Sequence, residues 1–224
     1  KFDIEQLTDY LAVALRWFRV QHDSDANAAC PSIIWNVLWR AAATVNHGHM
    51  QATMSTGGHY PAVERFKSAA DSYSLFGTNG RDYFTDLYRV HEALGLGFAL
   101  DGNRVMAELT PRKEKGVMVT RQMGSWDEFP KLAGAVYHVL TSYLKMGVQS
   151  FNVVFYLPSL PFDNGWHRFP ALVRFIDRGP LTSTTSDIGG MELGLEMPVV
   201  ATDPYQLMRT LCDLPLVLTR NSNP

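Results

Sequence analysis

Cysteine is scarce in this chain. Cys30 and Cys212 are the only two among 224 residues, too few and too far apart for a disulfide framework, and a chain of this size needs none to fold. The expected setting is a reducing cytoplasm. Long apolar runs are missing as well: no stretch approaches the ~20 residues that span a bilayer, and Lys1-Phe2-Asp3-Ile4-Glu5 lacks the apolar centre of a signal peptide. Nor is there an excess of basic charge. Twenty Lys and Arg against 22 Asp and Glu give a formal charge of -2, with no run of cations to follow a nucleic-acid backbone. Nucleic acid and membrane therefore drop out as expected partners, whereas a small anion needs only a few local donors. Low-complexity segments and long linkers are absent, and 46% apolar residues supply a core. The chain starts without methionine, so an upstream segment is expected.

What is present is a repeated pattern of elements. Apolar residues at Ile4, Leu7, Leu11, Ala14, Leu15 and Phe18 follow one helical face and predict a helix over 3–22. The β-branched run 32–38 reads as a buried strand and 50–55 as a second one. Helices are expected over 60–75 and 82–94, closed by Gly95-Leu96-Gly97. Strands at 98–100 and 104–109 flank Asp101-Gly102-Asn103, a hairpin turn, and 115–120 adds another strand. A long helix over 127–146, strands at 151–157 and 171–176, and a last helix opened by Asp203-Pro204 complete the series. Helix, strand, loop, strand thus occurs twice. The fold class expected is α+β, with duplicated halves over 1–97 and 98–224.

The chemistry concentrates at Asn46-His47-Gly48-His49-Met50-Gln51. If this segment is a strand, His47, His49 and Gln51 alternate along it and project from one face. A neutral imidazole can attack phosphorus as a covalent nucleophile. A neighbouring amide can donate to the phosphoryl oxygen as charge develops there. The same His-x-His spacing is also a metal chelate, because imidazole is the commonest metal ligand.

The stretch from Asn36 to Gln51, Asn-Val-Leu-Trp-Arg-Ala-Ala-Ala-Thr-Val-Asn-His-Gly-His-Met-Gln, resembles the active-site region of the galactose-1-phosphate uridylyltransferase and diadenosine tetraphosphate phosphorylase branch of the histidine-triad superfamily. The resemblance implies duplicated histidine-triad-like halves with an antiparallel sheet and packed helices, and a nucleotidyltransferase or phosphorylase that works through a covalent nucleotidyl-histidine. By position, His49 would be the nucleophile, His47 its support and Gln51 the phosphate hydrogen-bonder, while Asn36, Thr44 and Asn46 would contact phosphate or ribose. The resemblance continues through the second half, where Arg174 would meet an acceptor phosphate and Glu192 the sugar. It implies a nucleotide sugar or dinucleoside polyphosphate as donor, a sugar phosphate or phosphate as acceptor, and a homodimer as the form of association.

Departures from the family pattern shape further expectations. Leu38 and Ala42 stand where glycines are expected in the loop before the motif. Leu172 and Arg174 stand where the uridylyltransferases carry a second His-x-His pair. No metal or other cofactor is therefore expected, and Glu64, near the family's metal-binding glutamate, reads as an ordinary helix residue. The family's early strands and zinc motif have no counterpart before Lys1, so an N-terminal part is expected to be missing. Elsewhere, His91 and His138 read as structural, Arg112, Lys113 and Lys115 as a solvated turn, and Trp17, Phe18, Trp35 and Trp39 as core. Two alternatives remain at this point: a non-catalytic nucleotide-binding or regulatory protein, and a metal-binding domain using His47 and His49.

Overall fold

Asp3 opens the first helix, α1 (Ile4–Ser24), by accepting hydrogen bonds from the backbone N–H groups of Glu5 and Gln6, two donors that would otherwise lack helical partners. One stripe of this helix, Leu7, Leu11, Leu15 and Phe18, is buried. A computed structural model describes residues 3–45, 47–75, 81–162 and 165–213. Within them the strands are β1 (Ala28–Val37), β2 (Gln51–Thr56), β3 (Gly97–Leu100), β4 (Asn103–Ala107), β5 (Val117–Arg121), β6 (Phe151–Tyr156) and β7 (Ala171–Asp177). They form one antiparallel sheet in the order β2-β1-β6-β7-β5-β4-β3. The other helices are α2 (Pro61–Leu75), α3 (Tyr83–Ala93), α4 (Ala133–Lys145), α5 (Gly190–Gly194) and α6 (Pro204–Cys212). The fold is α+β.

Alternation along the strands divides the sheet into two faces. Ile33 and Trp35 of β1, Phe151, Val153 and Phe155 of β6, and Val173 and Phe175 of β7 join α1, α4 and α6 in the main core. Their neighbours Asn36, Asn152, Tyr156, Arg174 and Ile176 point the other way, as period-two pleating requires. On that second face α2 and α3 cover part of the sheet, through Val63, Phe84 and Tyr88 against Met106, Met118 and Leu172. The rest of the face stays open.

The two helix-strand-strand sets, α1-β1-β2 and α4-β6-β7, meet through β1 and β6. β1 and β6 pair at the centre, β2 lies outside β1, β7 lies outside β6, and α1 and α4 pack together on the main-core face. The expected boundary at 97/98 falls within β3.

Two element readings and one core reading change. β1 begins at Ala28, not at 32, and includes Pro31; pairing with β6 starts only at Ser32, so on that side Pro31 stands where no ladder donor is required. The helix expected over 127–146 begins as a 3₁₀ segment, Trp126–Leu132, containing Pro130, and turns α-helical at Ala133. Proline removes an N–H from the early turn and favours this tighter entry. Trp17 and Trp39 are exposed at 38% and 55%, unlike Phe18 and Trp35; Trp17 lies off the buried stripe of α1 and Trp39 in a 3₁₀ turn after β1.

Candidate active site

The segment 47–51 does not form one continuous strand. Pairing of β2 with β1 ends at Ile34↔Gln51, so the residues before Gln51 have no ladder partner and His47 and His49 lie in the approach to the strand. Gln51 is exposed and shares the open face with Ile34 and Asn36. The two imidazoles lie close, with ring centroids 5.7 Å apart and tilted by 58°. His49 Nδ1 is 3.0 Å from the carbonyl oxygen of His47. A carbonyl only accepts, so this contact puts the proton on Nδ1 and leaves the Nε2 lone pair of the neutral ring free.

The preceding loop carries strained backbone. Leu38 has φ 64° and ψ 170° and Ala42 has φ 63° and ψ 28°, the positive-φ half of the map that glycine enters without penalty. These are the two positions where the resemblance calls for glycine. The carbonyl of Leu38 accepts from the N–H groups of Ala41 and Ala43, which closes the tight 3₁₀ turn Trp39–Ala41. Thr44 follows in an exposed bend. Asn46 lies outside the described residues.

A polar network fastens this loop to the second half. Asn152 Nδ2 donates to Asn36 Oδ1 (2.6 Å) and to the carbonyl of Ala41 (3.0 Å). Asn152 Oδ1 in turn accepts from Arg178 Nη1 at 2.8 Å. Arg178 also donates twice to Asp187, and these bonds hold the Asp187 carboxyl below its ordinary range. Arg40 reaches across to the carbonyl oxygens of Arg178, Ser183 and Thr185. Sequence reasoning chose Asn36 but gave no role to Asn152, Asp187 or Arg40. The available signal was a polar residue, Asn152, at the outward position of the apolar strand 151–156.

Beside this network the open face carries a groove of about 1030 Å³, to which Asn152, Arg174, Arg178 and Glu192 contribute. Arg174 is held bidentately by Glu108 at 2.7 and 2.5 Å, both side chains being under 10% exposed. Burial works against the Arg174 charge, but the Glu108 carboxylate outweighs it and raises its pKa. Glu192 accepts from Lys113 Nζ at 2.8 Å and from the Gly189 N–H at 2.9 Å, and these donors hold its carboxyl at about 2. His47, His49, Gln51 and Thr44 do not line the groove. The structure therefore brings Arg174 and Glu192 to the groove, ties Asn36 to it through Asn152, and sets the histidine segment at the approach to the edge strand β2.

Three further histidines serve the framework. His59 donates from Nε2 to the Leu157 carbonyl and accepts at Nδ1 from the Tyr60 N–H. His138 bonds the Leu211 carbonyl at 2.7 Å and His91 that of Leu87 at 2.8 Å. Burial lowers the pKa of His59 and of His138. Glu64 accepts from the His59 N–H at the start of α2. Among the described residues no three His, Cys, Asp or Glu side chains gather as a metal site, and no helix is long and apolar enough to cross a membrane.

No family model and no curated protein matches the chain. Solved structures do. A uridylyltransferase structure superposes with TM-score 0.77 at 15% identity, covering 94% of this chain and 68% of its own. An ADP-glucose phosphorylase from Arabidopsis thaliana with bound ADP-glucose gives 0.73 at 14% identity, over 96% of this chain and 68% of that one. A GalT-like protein from the same plant gives 0.74 at 15%, over 96% and 71%. At such identities the likeness is one of fold.

Proposed function

We propose that this chain is a nucleotidyltransferase or phosphorylase that acts on a nucleotide sugar or dinucleoside polyphosphate through a covalent nucleotidyl-histidine at His49. The observation that carries the reading is the bond from His49 Nδ1 to the His47 carbonyl, which leaves Nε2 as the nucleophilic nitrogen. The fold shared with a uridylyltransferase and with a phosphorylase that binds ADP-glucose supports it, and favours the nucleotide sugar.

His49 Nε2 attacks the α-phosphorus. A P–N bond forms, the bond from that phosphorus to the bridging oxygen breaks, and the bridging electrons leave with the sugar phosphate or phosphate. The imidazole becomes cationic in this step, and the Nδ1–H bond to the carbonyl stabilises that charge. Gln51 donates to the phosphoryl oxygen. An acceptor phosphate or sugar phosphate then attacks the same phosphorus and releases neutral His49, dividing one difficult displacement into two easier ones. Asn36, Thr44 and Asn46 contact phosphate or ribose, Arg174 the acceptor phosphate and Glu192 the sugar. The halves 1–97 and 98–224 are two histidine-triad-like units of one fold, and the working form is a homodimer, the commonest symmetric assembly.

The test is incubation with α-³²P-labelled UDP-glucose, ADP-glucose and diadenosine tetraphosphate, followed by acid and base treatment. Trapping of an acid-labile, base-stable label that vanishes in His49→Ala is the expected result. His49→Ala lowers turnover by ~10⁶-fold, as loss of a covalent nucleophile does, and Gln51→Ala by about 10²–10³-fold. His47→Ala stays near the Gln51 value, because the carbonyl that orients His49 survives the change. Label retained in His49→Ala, or lost in His47→Ala alone, would overturn the assignment.

A further inference from the structure

Two apolar stripes run along α1, and only one of them is covered. Leu7, Leu11, Leu15 and Phe18 are buried on the side that packs against β1, α4 and the 3₁₀ segment Trp126–Leu132. On another side Tyr10, Val13, Trp17 and Val20 are exposed at 42, 66, 38 and 52%. Their spacing of three, four and three residues puts them on one line, the pattern of a seam between helices. A helix that only covers a sheet needs one apolar stripe and a polar back. A row of four large apolar side chains in solvent marks a contact surface, which singly scattered ones do not.

The charges bordering the outer stripe decide what fits it. Asp9 and Arg16 are exposed and have no ion-pair or hydrogen-bond partner among the described residues. Seven residues are close to two full turns, so both stand on the same border of the stripe, yet about 10 Å of helix keeps them from pairing with each other. Val13 lies between them and at the middle of the stripe. A twofold axis at Val13, perpendicular to both helices, brings a second α1 in antiparallel. Val13 then meets Val13 of the second copy, and Tyr10 meets its Trp17. The same rotation sets Asp9 level with Arg16 of the second copy, twice over. A parallel copy would instead set Asp9 level with Asp9 and Arg16 level with Arg16. One antiparallel register thus serves the stripe and its border charges together, and it also opposes the two helix dipoles.

We propose that the outer stripe of α1 is a homodimer interface, on which the same stripe of a second copy of this chain packs antiparallel about a twofold axis at Val13. The inference rests on the homodimer of the preceding reading and names its surface; the His49 chemistry does not enter it. Contact from Gln6 to Val20 extends over about 21 Å of helix, near the lower limit of specific interfaces, so the dimer dissociates on dilution. The contact is isologous and closed. Because α1 belongs to the main-core face, the groove on the open face stays uncovered.

Sedimentation equilibrium of the full chain over a wide concentration range reads the association directly. Wild type passes from monomer to dimer as concentration rises. Val13→Glu places two carboxylates on the axis and weakens the dimer about tenfold or more, while its circular dichroism stays that of wild type because the position is exposed. Asp9→Arg weakens the dimer roughly fivefold, and Asp9→Arg combined with Arg16→Asp restores it, a rescue that a damaged fold cannot produce. In a Cys212→Ser background, which removes the exposed thiol, a short bis-maleimide joins Val13→Cys into a dimer. It does not join Leu75→Cys, which is exposed on α2 across the sheet. A wild type that is monomeric at every concentration, or a dimer equally strong in Val13→Glu, would overturn the proposal. A monomer that sediments with phosphatidylserine vesicles would give the stripe to a membrane surface instead. The His49 reading is decided separately, by the covalent label: a dimer without label keeps this interface and loses the nucleophile, and label on a chain that never dimerises does the reverse.

Discussion

Ala42 shows how a single residue stores strain next to the candidate chemistry. It stands at φ 63° and ψ 28°, is exposed, and so has no buried side chain to lose on replacement by glycine. A left-handed conformation costs an L-residue roughly 1–2 kcal/mol, and glycine escapes this cost while losing a little more chain entropy on folding. Ala42→Gly should therefore stabilise the protein by about 1 kcal/mol, read as a higher midpoint in urea at unchanged slope. A lower midpoint would mean that the loop conformation is not maintained in solution. Leu38 and Ala42 were legible in the sequence as substitutions for expected glycines, but whether the backbone had changed with them was not. The network from Asn36 through Asn152 to Arg178 and Asp187 over-determines the turn, and Asn36 and Asn152 lie 116 residues apart.

Between elements, the contact of β7 with the end of β4 depends on Arg174 and Glu108, a bidentate pair buried on the open face. Removing one partner leaves a charge buried and uncompensated. Arg174→Leu should cost about 3–5 kcal/mol, while Arg174→Leu combined with Glu108→Leu should recover most of it. Chemical unfolding of the two single variants and the double variant closes the cycle, and additive losses would show that the charges act separately. His138 joins α4 to the end of α6 by its bond to the Leu211 carbonyl. Burial depresses its folded pKa below the ordinary histidine value of 6.5, so the unfolded chain takes up the proton first on acidification. Its contribution is complete above pH 6.5 and declines as pH falls from there towards the folded pKa. Wild type should lose stability over that window more steeply than His138→Gln; parallel pH profiles would remove His138 as the cause.

At the scale of the whole molecule, the main core crosses the boundary between the halves. Leu7, Leu11 and Phe18 of α1 belong to the same cluster as Leu132, Val136, Phe151 and Phe175, and β1 has β6 as its inner neighbour. The stretches on either side of residue 97 thus share one interior. Unfolding should follow a single transition, coincident by far-ultraviolet circular dichroism and by tryptophan fluorescence, and a chain cut to residues 1–97 should not hold its fold, having lost the strand against which β1 is buried. Two separated transitions would make the halves independent bodies.

The amino-acid sequence alone determined the α+β class, the helical stripe of α1 and the recurrence of helix, strand, strand, because each depends on local periodicity or on residues adjacent in the chain. It also placed His91 and His138 in the framework, where their backbone bonds now account for them. Only the tertiary structure decided that β2 starts at Gln51 and not before the histidines, since pairing depends on where β1 stops offering a partner. It likewise decided which charges are committed: Arg174 and Glu108 meet across 66 positions of chain, whereas Arg65 and Arg112 meet no carboxylate among the described residues.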